Sequence, residues 1–380
     1  MNKKKPKRPR IKNYLSTKII AHIIIVTGYL FIIAVFLYVF PKIKDFSSKN
    51  KVLHIYAWAD AITFDSLQEF EKEHNIKVSI KYFDTNEELF AKFKINKGEG
   101  YDLITASDHM IDLLHKHALL APLDHKLLPV INELDTRFLN YYYDPTNLFS
   151  LPYSWVTYGI IYNKSIFKKP PAQISLELLF KNPEDLVPEY IWEPYKVCMI
   201  DDPRETSFFA HLYLFDHTQK LDANKIPEIK KLLIKQKKWV ECYVYQDLRY
   251  LLFSETFHVA ISASTFVRKI FETSNNFEFV IPKEGSMLVT ENFAIPKKSK
   301  NILLTHKLIN YLLSRPVATQ NSQTFGYNPT NKNSYQDIDK KFFNNPNFFP
   351  DNSTFDKLQL LRSDVPIKKL TEMWWEIKSS

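Results

Sequence analysis

Apolar residues run almost unbroken from Ile19 to Phe40, with only His22, Thr27 and Gly28 between them. A helix of that length spans roughly 33 Å at about 1.5 Å per residue, enough to cross a hydrocarbon core. Beyond it the pattern changes to short segments of alternating type. Val52–Ala57 and Ile76–Tyr82 read as strands, Phe64–His74 and Asn86–Asn96 as helices with Leu67, Phe70, Leu89 and Phe93 at helical spacing, and Asp102–Ala106 as a third strand. Strands alternating with helices predict an α/β lobe.

Leu151–Asn163 is long and extended, and Gly159 gives it room to bend. A second βα block follows, with strands at Val197–Ile200 and His258–Ser262 and helices at Thr206–Phe215 and Ile229–Val240. Phe277–Pro296 is again long and extended, Thr305–Leu313 is helical, and the last helix carries Trp374 and Trp375, which are expected to pack against a lobe. Two extended crossings around an α/β block predict two lobes joined by a two-crossing hinge, with strand ends facing a common cleft where ligands bind. The boundaries read from this pattern are residues 52–156 plus 288–330 for one lobe and 157–287 for the other, with 331–380 a helical segment packed on the lobes.

Charge refines the picture at one end only. Residues 1–50 hold 11 basic and 1 acidic residues, whereas the remaining 330 hold 40 and 41, so the net +9 belongs to the N-terminus. Residues 1–18 carry eight Lys/Arg and no acid, which keeps that segment cytoplasmic and places the body outside. A cleaved signal peptide is the competing reading, but the apolar core is long, no small-x-small site follows it, and the first Cys is Cys198, too late for a lipid anchor. The expectation is therefore a single transmembrane anchor at 19–40 and a polar tether at 41–51, reaching on the order of 18 Å as flexible coil. No basic stripe remains in the body, so nucleic acid is not an expected partner.

Candidate chemistry is sparse. The six glycines include no phosphate-cradling cluster, and no G-x-S-x-G, H-E-x-x-H or C-x-x-C occurs, so neither an enzyme nor a cofactor is expected. His115 and His117 fall on different faces of a helical stretch, which argues against metal ligation. Cys198 and Cys242 are expected as free buried thiols, with pairing in an oxidising compartment left open. The sharpest cluster is Asp201-Asp202-Pro203-Arg204-Glu205 after a strand. Asp202 as N-cap, Pro203 at N1 and Glu205 at N3 form a capping box. The same two carboxylates also stand at a strand C-terminal end, where they suit a cation.

Several stretches recur together in order: Ile55-Tyr56-Ala57-Trp58, Tyr101-Asp102-Leu103-Ile104 before Ser107, Leu151-Pro152-Tyr153-Ser154-Trp155, the acidic cluster at 201–205, Pro282-Lys283-Glu284-Gly285, Phe293-Ala294-Ile295-Pro296 and Gly326-Tyr327. In this order and spacing, residues 52–380 resemble the polyamine-binding proteins of ABC importers, the spermidine/putrescine-binding type. The resemblance implies a two-lobe periplasmic-binding-protein type II fold, a monomer that captures a polyamine in its cleft, and delivery to ABC permease subunits in a bacterial cytoplasmic membrane. It places Trp58, Ser107, Asp202, Glu205, Glu291 and Tyr327 at ligand positions. His109 stands there for a Tyr, Ile261 and Val289 for two Trp, Glu291 for an Asp, and Ala59 and Ala61 for a Thr and a Tyr. The anionic contacts persist while much of the aromatic box is gone, and a protonated His109 would disfavour a cation below about pH 6.5. A different organic cation, a metal, or a sensor with a degenerate cleft stays open beside the polyamine.

Overall fold

The computed structural model describes residues 22, 24–35, 51–169, 171–186, 191–215, 219–244, 257–362 and 365–380. Within the expected membrane span, residues 24–35 are helical and carry exposed apolar side chains such as Ile24, Leu30 and Phe31. That piece rises only about 18 Å, and among the described residues no helix is long and apolar enough to cross a membrane. Positions 19–21, 23 and 36–40, the basic segment 1–18 and residues 41–50 of the tether lie outside the described residues. The chain divides into a unit of residues 1–52 with 71–77 and a unit of residues 53–70 with 78–380. The larger unit carries the candidate site.

The strands are β1 (Val52–Ala57), β2 (Lys77–Tyr82), β3 (Leu103–Ser107), β4 (Ser150–Asn163), β5 (Val197–Ile200), β6 (Val240–Val244), β7 (Val259–Ala263), β8 (Phe277–Val280), β9 (Ser286–Ala294), β10 (Asn328–Pro329) and β11 (Leu358–Leu360). They hydrogen-bond in the order β2-β1-β3-β9-β4-β7-β5-β6, with β8 and β10 beside β4 and β11 beside β9. Interior strands β3, β5 and β7 are buried at every position, whereas the edge strand β2 is partly to fully exposed. Continuous apolar runs such as Val-Cys-Met-Ile suit strands covered on both faces.

One strand belongs to both halves of this sheet. β4 pairs with β9 from Ser150 to Thr157 and with β7 from Tyr158 onward. β8 also pairs with β4, from Ile160 to Asn163, so β8 and β9 run end to end along one side of it. The expected extended stretch Phe277–Pro296 is thus two collinear strands, interrupted where Pro282–Gly285 loops out. Gly285 has φ +101°, and a Cβ there would lie 2.4 Å from the Lys357 carbonyl oxygen. Gly159 serves close approach, with a Cβ position 2.8 Å from the Phe279 ring and the Val280 carbonyl. That, and not a bend, is its reason.

The helices of eight or more residues in the larger part of the chain are α1 (Phe64–His74), α2 (Asn86–Asn96), α3 (Asp108–Lys116), α4 (Pro203–Phe215), α5 (Ile226–Gln236), α6 (Ser264–Phe271), α7 (Ile302–Leu313), α8 (Arg315–Phe325) and α9 (Ile367–Ser379), with single turns at Glu177–Phe180, Lys340–Phe343 and Asn352–Phe355. α4, α5 and the segment after 331 depart from the expected pattern, and α7 begins one turn earlier, at Ile302. α4 begins at Pro203 because Asp202 Oδ1 accepts the backbone N–H of Arg204 at 2.8 Å and of Glu205 at 2.9 Å. α5 stops at Gln236, before the β-favouring run Trp-Val-Glu-Cys-Tyr-Val, and Val240–Val244 becomes β6 beside β5. The segment after 331 is not only helical, since β11 adds a parallel strand to β9.

Each half has its own core. Tyr56, Phe83, Leu89, Phe93, Ile104 and Ile111 pack on one side, and Ile160, Val197, Phe209, Ile229 and Ile261 on the other. α9 joins the second core through Leu370, Met373, Trp374 and Ile377. Trp374 packs as expected, while its neighbour Trp375 is 68% exposed. Asp201 Oδ1 accepts hydrogen bonds from Trp374 Nε1 and Lys378 Nζ, both at 2.9 Å, which ties the last turn of α9 to the end of β5.

Candidate functional site

Antiparallel register assembles the first side of the site. β3 ends at Ser107, directly opposite Glu291 on β9, which in turn faces Ser154 on β4. The Ser107 hydroxyl donates to Glu291 Oε1 at 2.9 Å, and the Trp58 indole Nε1–H donates to Oε2 at 2.9 Å. Asn86, the first residue of α2, donates to Ser107 Oγ at 3.0 Å, and the Trp58 backbone N–H is held by Thr105 Oγ1 at 2.9 Å. A carboxylate with both oxygens occupied by aimed donors is fixed in place before any ligand arrives. Burial pushes its pKa up to about 8; Ser107 and Trp58 oppose that shift, and neighbouring Asp108 adds to it.

The second side comes from α4. Glu205 stands in its first turn and accepts the Tyr158 hydroxyl at 3.3 Å from the crossing strand β4. Burial, and then the adjacent Asp202, push the Glu205 carboxyl up to about 8 as well. The capping box is half made. Asp202 caps the helix, but the Glu205 side chain turns to Tyr158 in place of the return bond. Burial holds Asp202 above the ordinary carboxylate range, against the two backbone N–H donors it accepts.

His109 lies between these sides, on the first turn of α3. Its Nδ1 is 3.6 Å from Oδ1 of the fully buried Asp108. Its Nε2 is buried without a hydrogen-bond partner. Burial opposes charge on the ring, yet Asp108, Glu291 and Asp202 together outweigh it and raise the imidazole above its ordinary pKa.

Trp58, Ser107, His109, Glu205, Glu291 and Tyr327 all line one cavity of about 170 Å³. Asp202 does not, and its side chain serves as the helix cap. Tyr327 is buried and its hydroxyl is already committed to the Ala61 carbonyl at 3.0 Å, so its ring faces the cavity as an apolar wall. Ile261, expected at an aromatic position of the cleft, belongs to the core beneath; Ala263, two residues further along the same strand face, reaches the cavity. Val289 does line it.

The wall also includes residues that the sequence reading passed over, namely Asp60, Asn86, Tyr153 and Tyr158. Asp60 lies three residues past the end of β1, and desolvation raises its carboxyl, with its own backbone N–H and then Lys269 opposing. The alternation of β4 is a usable signal for Tyr158, which shares a strand face with Ser154 and Val156, both also in the wall, whereas Tyr153 has the opposite parity and stands at the register shift between Pro152 and Ser154. A larger cavity of about 610 Å³ opens around Arg268, Lys269, Glu272, Gln323 and Asp339, with none of the expected residues in it. Convergence of carboxylates, an aromatic ring and an unpartnered imidazole favours the smaller one as the candidate site.

A family model described as bacterial extracellular solute-binding protein matches residues 65–350. The spermidine/putrescine-binding periplasmic protein 1 of Haemophilus influenzae is 30% identical over 312 residues, covering 81% of this chain and 83% of its own. The putrescine-binding periplasmic protein PotF of Escherichia coli is 30% identical over 359 residues, covering 89% and 94%. Among solved structures, the spermidine/putrescine ABC transporter substrate-binding protein PotD of Streptococcus pneumoniae superposes with a TM-score of 0.74 at 26% identity, covering 87% of this chain and 99% of that one.

Proposed function

The chain belongs to the bacterial extracellular solute-binding proteins, and from that premise we propose that it captures a polyamine between its two lobes for an ABC importer. The protein is a binder and not an enzyme, with its body outside the cytoplasm. The observation that carries the ligand class is the pair Glu205 and Glu291, one from each half of the sheet, lining the same small cavity. A protonated amine loses much of its hydration on burial, and a carboxylate held at its nitrogen offsets that loss. The small volume of about 170 Å³ suits a short polyamine chain, with Trp58, Tyr153 and Tyr327 against its methylenes. His109 and Ser107 complete the contacts, and Asp202 acts from behind by fixing Glu205 at the start of α4.

Closure follows as population shift. A ligand touching Trp58, Ser107 and Glu291 on one lobe and Glu205 on the other binds the closed form better than the open one, and so favours it. The lobes meet where β4 leaves β9 for β7, near residues 156–158, and at 286–288. The segment 19–40 anchors the monomer in the cytoplasmic membrane with residues 1–18 inside, and the tether raises its concentration near the permease.

Calorimetry with putrescine and spermidine on the full chain in detergent micelles tests this reading. Binding in the micromolar range or tighter is expected. Absence of heat with both, while another amine titrates, rejects the polyamine. The small side chains Val289 and Ala263 in the wall favour a second reading in which a bulkier organic cation is the guest, and mass spectrometry of ligand released from the purified protein separates the two.

A further inference from the structure

We propose that His109 turns ligand capture into a cation-for-proton exchange, in which the imidazole holds a proton in the unliganded cavity and surrenders it as an alkylammonium group arrives. The proposal rests on the polyamine reading for its ligand class. It goes beyond that reading in naming what leaves when the ligand enters.

The geometry points to a site that changes its proton count. His109 stands near carboxyl groups on three elements, Asp108 on its own helix, Glu291 on β9, and Asp202 and Glu205 at the start of α4, while Asn86 of α2 and the tyrosines Tyr153 and Tyr158 of β4 complete the wall. Asp108, Glu291 and Asp202 act directly on the ring, and Glu205, with Arg204 beside it, is coupled to it. Asp108 at 3.6 Å and the nearby Asp202 favour a cation on the ring even where Glu205 and Glu291, held up near 8 by burial, are neutral, and the imidazole is the group able to become one at neutral pH. The proton affinity of the ring is raised accordingly, in spite of its burial.

Once an ammonium occupies the cavity the same ring must be neutral, since two cations would otherwise share one set of counter-charges. Neutral His109 with Nδ1–H toward Asp108 leaves Nε2 as a lone-pair acceptor, and Nε2 is the buried atom without a partner. An ammonium N–H supplies that partner. The exchange is balanced: the ligand brings one positive charge to the cluster, and one proton departs to solvent. A tyrosine at this position could contribute a hydroxyl but could not carry the exchanged charge.

Glu205 and Glu291 titrate in the same cavity, so the experiment must isolate the imidazole. Putrescine is titrated calorimetrically into the full chain in detergent micelles, in phosphate and in Tris buffer at about pH 6, near the ordinary histidine value. The difference in apparent enthalpy between the buffers counts protons released per ligand. The wild type should release close to one proton more than His109→Gln, and its affinity should fall more steeply as pH is lowered, by up to about tenfold per unit. Equal proton release from both proteins overturns the proposal.

Histidine-labelled NMR of the wild type gives the same answer without reliance on the variant's fold. The His109 ring should titrate above about 6.5 when unliganded and stay neutral through that range with putrescine bound. A His109 titration that putrescine leaves unmoved overturns the exchange while leaving polyamine binding intact. Failure of the wild type to bind putrescine or spermidine at any pH removes both readings together.

Discussion

Arg204 and Glu87 form an ion pair that joins the two halves of the cleft, the guanidinium Nη2 reaching from the start of α4 to the first turn of α2. Arg204 is thus the member of the acidic cluster that pairs with α2, outside the cavity wall. The pair is partly solvated on the Glu87 side, so its worth is that of a surface bridge, about 0–1 kcal/mol. Glu87→Gln or Arg204→Met should weaken polyamine affinity by no more than about fivefold. Small-angle scattering of the unliganded protein should show a larger radius of gyration in either variant. An unchanged radius would mean that the contact does not hold the lobes together.

Glu205 and Glu291 are arranged for a guest at the expense of the empty protein. Their carboxyls move from an ordinary 4.5 to about 8 on folding. A raised acid contributes stability that is fully present below about pH 4.5 and lost as pH rises through about 8. Without ligand, Tm is therefore expected to fall between those values. Glu205→Gln and Glu291→Gln should flatten that fall and raise Tm near pH 8 by a few degrees. Each should also cost about 2–5 kcal/mol of polyamine binding. Thermal scans across pH, paired with calorimetry, check both halves; a Tm that rises with pH in the wild type would contradict the burial argument.

Gly285→Ala should destabilise the protein more than an ordinary loop substitution. The residue sits at φ +101° with the Lys357 carbonyl in the place of a Cβ. Left-handed strain alone costs about 1–3 kcal/mol, and the clash pushes β11 away from β9. Urea unfolding should show a lower midpoint, and hydrogen exchange should show lost protection at Leu358–Leu360.

Cys198 and Cys242 are partners across the parallel strands β5 and β6, with their sulfur atoms 2.9 Å apart. Both are free thiols. An added disulfide such as oxidised glutathione should accept their two electrons and leave an intramolecular Cys198–Cys242 bond, with two glutathione thiols as the product. Alkylation before and after reduction, read by mass spectrometry, detects it. Full alkylation of both cysteines after oxidant treatment would show that the strands hold the sulfurs too rigidly to close.

The alternation of strands and helices and the two extended crossings were legible because they rest on local periodicity. Trp58, Ser107 and Glu291 came together as expected, since β3, β9 and the end of β1 set their register. The role of Asp202 was half legible: its spacing to Glu205 signals a cap, but only the structure shows the Glu205 side chain turning to Tyr158. Asp60 was missed because a single acid after a strand has no partner in sequence; its neighbours Tyr153 and Tyr327 arrive from distant segments. Val240, the first residue of β6, continues the apolar spacing of α5, and the sequence therefore predicts it as the end of that helix. The β-branched and aromatic run beyond it decides otherwise once β5 offers an edge.

Asp201 is clasped by Trp374 and Lys378 at one shoulder and adjoins the helix-capping Asp202 at the other. The last turns of α9 therefore act as a splint for the carboxylate-bearing jaw. A label attached to the exposed face of those turns would press on that splint and register as altered ligand affinity, so probes and surface-attachment sites are better placed elsewhere.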